Sequence, residues 1–133
     1  MVKIKNFIDT PSQTAGPFLH IGCTPSITGI KIFKDELGST HFKNISINEE
    51  INIKGKIYDG NNDPIIDAMI ETWQCDENGK YFNYQGFSRR VTDFKTGEYQ
   101  LKTIRPGNQI NKDGSISPSY ILFWIVARLS LIH

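Results

Sequence analysis

Residues 53–81 read IKGKIYDGNNDPIIDAMIETWQCDENGKY, and the succession of strand-like and turn-like pieces in this stretch decides the fold. Leading into it, Ile45, Ile47, Ile51, Ile53 and Ile57 are spaced so that most share one face of an extended chain. Glu49 and Glu50 interrupt the pattern, which predicts a strand, a short break and a second strand across residues 45–58. Asp59-Gly-Asn-Asn-Asp-Pro64 then reverses the chain, because Gly and Asn tolerate positive φ and Pro64 has no N–H to give to a sheet. Residues 65–74 resume as a strand around Ala68, Ile70, Thr72 and Trp73, and Asp76-Glu-Asn-Gly79 turns the chain again.

The same alternation continues outward. Residues 80–90 are aromatic but broken by Asn83, Gln85, Gly86 and Ser88, which predicts a loop with strand-like ends. Residues 91–94 and 98–104 read as two strands around Lys95-Thr-Gly97, closed by Arg105-Pro-Gly107, and the polar residues 108–118 read as a loop. Residues 121–132 are apolar, β-branched and aromatic, the pattern of an innermost strand buried on both faces. The one helical candidate is a short piece at residues 34–37. Short strands at close turn spacing predict an all-β sandwich, with residues 1–44 as an N-terminal arm and active-site loop and residues 45–133 as the sandwich core.

Bulk properties narrow the partners. With 15 Lys and Arg against 14 Asp and Glu, a formal charge of +1 gives no field to draw nucleic acid or an anionic membrane surface. Two cysteines in 133 residues are too few for a disulfide scaffold, so Cys23 and Cys75 are expected to be reduced thiols in a cytoplasmic protein. The opening MVKIKNF meets Asp9 before any long apolar run, so no export signal is expected. The longest apolar run, residues 120–127, is far shorter than the ~20 residues of a membrane span.

Residues 10–22, TPSQTAGPFLHIG, are too polar and too punctuated by Pro and Gly for a core element and read as a shaped loop able to hold a ligand. His20 and Cys23 form a lone H-x-x-C with no second pair at zinc spacing, and His41 and His133 stand isolated. Phosphate loops, nucleophile elbows and H-E-x-x-H helices are missing from the sequence. Asp67 and Glu71 flank a strand as a solvated face, whereas Arg128 ends an apolar run where a guanidinium needs a partner or an aqueous pocket.

Four blocks in order, residues 10–22, 53–81, 86–107 (GFSRRVTDFKTGEYQLKTIRPG) and 124–128 (WIVAR), resemble the intradiol ring-cleavage dioxygenases, and among them the alpha-type chains of protocatechuate 3,4-dioxygenases. The resemblance implies a β-sandwich and a part in opening 3,4-dihydroxybenzoate with O2 to 3-carboxy-cis,cis-muconate. It further implies a ferric ion, Fe3+, held by two tyrosinates and two histidines of a beta-type chain, the beta subunit of the complex. This chain departs from that ligand pattern. Asn108, Gln109 and Ile110 follow TIRPG where a tyrosine ligand belongs, Tyr120 and Leu122 replace an H-x-H pair, and Tyr81 and Tyr84 lie near the other tyrosine.

By the same resemblance Thr14, Gly16 and Pro17 would line the substrate cleft and Arg128 would offer its charge to an anionic aromatic acid, while this chain alone would hold no metal and no catalytic residue. Alpha-type chains continue well past WIVAR, so the sandwich is expected to be incomplete at its C-terminal end. The alternative reading is an inactive β-sandwich binding module, or a truncated fragment of such a subunit.

Overall fold

The structure is a computed structural model that describes residues 16, 18–42 and 50–127. Two antiparallel layers form its centre. In one, β1 (Glu50–Lys56) pairs with β4 (Glu98–Ile104), running from Glu50 opposite Ile104 to Lys56 opposite Glu98. In the other, β2 (Met69–Trp73) lies between β3 (Phe87–Val91) and β7 (Leu122–Val126). A short hairpin joins β5 (Gln109–Ile110) to β6 (Ile116–Ser117). The expected all-β sandwich is the observed architecture.

Ala68, Met69 and Ile70 of the central strand region are buried with Leu101 and Ile104 of β4, so the core lies between the two layers. One polar side chain stitches them. Gln74, fully buried, donates from Nε2 to the Ile104 carbonyl at 2.9 Å and accepts the Thr103 hydroxyl on Oε1 at 2.8 Å. Buried amides are tolerated when paired in this way and are costly otherwise.

The predicted reversals follow a repeated device. The Asp59 carboxylate accepts the N–H groups of Asn61 and Asp63, Asp76 those of Asn78 and Lys80, and Asp93 those of Lys95 and Thr96. Each aspartate thereby mimics a backbone turn. These donated hydrogens hold the Asp93 carboxyl below the usual carboxylate range.

Several expectations are corrected. The strand expected at residues 91–94 begins earlier and ends sooner: β3 occupies Phe87–Val91, the strand-like end of the expected loop together with Val91, where Arg89 and Arg90 find partners. The expected loop at residues 108–118 carries β5 and β6. Residues 34–37 are bends and turns, while a one-turn helix α1 (Leu19–Cys23) and a 3-10 turn (Pro25–Thr28) appear upstream. The largest correction concerns β7. Among the described residues it is not innermost but lies at one edge of its sheet, and Leu122, Phe123, Trp124 and Ile125 are 54%, 41%, 69% and 49% exposed. The fully flanked strand is β2. No helix among the described residues is long and apolar enough to cross a membrane.

Residues 18–42 form a strap across the β2–β3 side of the sandwich. Arg89 Nη1 donates to the Cys23 carbonyl at 2.9 Å, and Arg90 Nη1 donates to the Gly38 carbonyl at 2.7 Å. Arg89 is also paired with Glu71, Nε to Oε1 at 2.8 Å, so Glu71 is ion-paired rather than merely solvated.

Candidate functional site

Of the residues expected to line a cleft, Gly16 is described, exposed, and accepts the Leu19 N–H at 3.2 Å; nothing stands within 4 Å of where a Cβ would be. Thr14, Pro17 and Arg128 lie outside the described residues. His20 sits on α1 and engages the Asp67 carbonyl through Nε2 at 2.9 Å.

The positions that depart from the expected ligand pattern do come together. Tyr81 follows the Asp76 turn, Gln109 opens β5, and Tyr120 precedes β7. The Tyr81 hydroxyl donates to the Tyr120 hydroxyl at 3.4 Å and accepts from Gln109 Nε2 at 3.1 Å. Its ring stacks on Trp73, centroids 5.4 Å apart and planes 8° from parallel, and Trp73 is opposite Leu122 in the β2–β7 register. Tyr84 takes no part and is 78% exposed.

Local sequence explains this convergence. The Asp76 carbonyl accepts the N–H of Gly107 at 2.8 Å, which docks the 76–80 turn onto the segment leading to β5. Gly79, at φ +75°, and Gly107 both stand where a Cβ would collide with backbone, against Asn108 and Glu77 respectively. Only glycine permits so close an approach. Beside the cluster an open depression of about 390 Å³ is lined by Glu77, Arg105, Asn108 and Ser119. Asn108 Oδ1 accepts the Ser119 N–H at 3.1 Å there.

The electrostatics of the cluster favour neutral groups. Partial burial, and then the hydrogen bond to Tyr120, push the Tyr81 phenol up to about 12, and burial pushes the Cys75 thiol up as well. Near neutrality Tyr81 is therefore a neutral phenol, and its partners are the Tyr120 hydroxyl and the Gln109 amide. A ferric ion calls for anionic oxygen donors supported by imidazoles, and the donors must lose their protons to bind it. The Tyr81 hydroxyl instead meets a second hydroxyl and an amide, with no imidazole among its partners, and the described residues contain no group of three or more His, Cys, Asp or Glu side chains that could hold a metal ion. The residues here do not fit a ferric ion.

The sequence identified Tyr81, Gln109 and Tyr120 only as separate departures from a pattern. Their meeting across 28 and 39 residues, and the stack on Trp73, carry no spacing signal. Arg89 and Arg90 were likewise silent, although the alternation of Glu71 with buried neighbours in β2 hints that a cation must meet it.

Comparison with known proteins places the chain. A family model described as dioxygenase (Dioxygenase_C) matches residues 28–125. The protocatechuate 3,4-dioxygenase alpha chain of Pseudomonas putida is 36% identical over 132 residues, covering 94% of this chain and 66% of the relative. The protocatechuate 3,4-dioxygenase alpha chain of Burkholderia cepacia is 27% identical over 111 residues, covering 74% of this chain and 54% of the relative. This chain thus spans between about half and two thirds of the length of these relatives. Among solved structures, catechol 1,2-dioxygenase from Pseudomonas arvilla C-1 superposes with a TM-score of 0.60 at 18% identity, covering 68% of this chain and 36% of that one, a likeness of fold. The sandwich and the matched sequence blocks agree, and the chain belongs to the intradiol ring-cleavage dioxygenase family.

Proposed function

We propose that this chain is a non-iron alpha-type subunit of a protocatechuate 3,4-dioxygenase, acting in intradiol cleavage of 3,4-dihydroxybenzoate to 3-carboxy-cis,cis-muconate. The observation that carries the reading is a family sandwich whose Tyr81, Gln109 and Tyr120 close into a hydrogen-bonded cluster. Two relatives bearing the name alpha chain support subunit status. The Fe3+ belongs, on this reading, to a beta-type partner, and no step of the chemistry runs through a metal on this chain.

What the chain contributes is a wall. Gly16, exposed and with nothing within 4 Å of where a Cβ would stand, would let a planar acid approach bare backbone, and Thr14 and Pro17 would line the same cleft. Arg128 would supply the cation that selects a carboxylate over a neutral catechol, through a planar guanidinium suited to two-point contact.

Co-expression with a beta-type chain tests this, with carboxymuconate formation as the readout. The pair is expected to exceed the beta-type chain alone; equal rates contradict the reading and favour a sandwich that has kept the fold and lost catalysis. Within the pair, Arg128→Ala is expected to raise the apparent KM about tenfold or more with assembly intact, as the loss of one charge-assisted contact does. Unchanged KM and turnover would remove Arg128 from the cleft.

A further inference from the structure

The strap of residues 18–42 meets the sandwich at its far end through His41. Nε2 of His41 lies 3.0 Å from the Gly86 carbonyl, which can only accept, so the proton sits on Nε2 and Nδ1 carries a lone pair. Nδ1 is buried and has no hydrogen-bond partner. Next to it Phe42 is buried and donates its N–H to the Gln85 carbonyl at 3.1 Å, although its φ of +46° places a bulky residue in the left-handed region. At the preceding bend Gly38, φ +79°, receives the Arg89 N–H at 3.1 Å and leaves 2.5 Å between that nitrogen and the place of a Cβ. This end of the strap is therefore strained backbone held down by a few hydrogen bonds.

We infer that His41 is an acid-sensitive latch: the neutral imidazole fastens the strap to the sandwich, and protonation at Nδ1 releases residues 38–42. Protonation would create a second N–H in a buried spot. The groups facing it give little help. From β3, the Arg90 guanidinium repels the new charge; from β4, the Lys102 carbonyl offers a minor acceptor, while the Lys102 ammonium lies 3.6 Å from Glu50 of β1. Glu71 is engaged with Arg89, and Glu36 of the strap is engaged with the N–H and hydroxyl of Ser26.

Burial is the main influence and pushes His41 below its ordinary value of 6.5; the Gly86 bond opposes this and Arg90 adds to it. The docked strap binds fewer protons than the released one, so docking is complete above about pH 6.5 and weakens as the pH falls. The latch does not rest on the proposed function.

Amide hydrogen exchange of the full chain tests the latch without any assay of activity. The reporters are the N–H groups of Phe42 and Arg89, which bond to Gln85 and Gly38. Their protection factors are expected to fall about tenfold between pH 7.5 and 5.0, and to stay level in His41→Gln, whose amide still donates but does not titrate. No fall in the wild type, or an equal fall in His41→Gln, overturns the latch. If His41→Gln does not fold, the wild-type imidazole is followed by NMR: titration below 6.5 supports the latch and titration at or above it overturns it.

Discussion

β2 and β7 are neighbours in one sheet, with Met69 facing Val126 and Trp73 facing Leu122, yet they have opposite fates. β2 mixes Glu71 and Thr72 with its apolar residues and is the interior strand, Ile70 being 1% exposed. β7 is uninterrupted Leu-Phe-Trp-Ile-Val and sits at the sheet edge with most of its side chains in solvent. The difference teaches that hydrophobicity states what a strand would gain from cover, while burial depends on which neighbours the fold supplies. β2 has a sheet partner on each side and β4 beneath it through Gln74; β7 has β2 alone among the described residues.

The contrast can be broken by substitution. The largest effect is expected at Ile70→Ala, about 2–5 kcal/mol of stability by chemical denaturation, because a fully packed side chain leaves a cavity. Gln74→Leu follows at about 2–3 kcal/mol, since it strands the Thr103 hydroxyl and the Ile104 carbonyl in the interior. Tyr81→Phe is expected to cost about 0.5–1.5 kcal/mol, removing one hydroxyl from the cluster. Trp124→Ala in the isolated chain comes last, within ~0.5 kcal/mol, as for other exposed sites. A loss at Trp124 matching that at Ile70 would mean that β7 is covered in solution and would collapse the comparison.

Legibility follows the same division. Alternation and turn chemistry located β1, β2, β4 and the reversals between them, because these signals are local: Asp59, Asp76 and Asp93 close their turns with their own neighbours. The bounds of β3 are only partly legible, because Arg89 and Arg90 read as the end of a loop until Glu71, Cys23 and Gly38 meet them from elsewhere in the chain. The burial of β7 was overestimated because an apolar run does not name its cover. At the site, the resemblance marked Tyr81, Gln109 and Tyr120 as departures; that they interlock depends on the docking of the 76–80 turn at Gly107, a tertiary contact with no pattern along the sequence.

Iron content is the most direct measurement of the central claim. The purified chain, titrated with ferric iron, is expected to remain without stoichiometric metal and without the visible tyrosinate-to-iron absorption, and its complex with a beta-type chain is expected to carry one iron for each beta-type chain. One tightly held iron per isolated chain, with that absorption, would contradict the account.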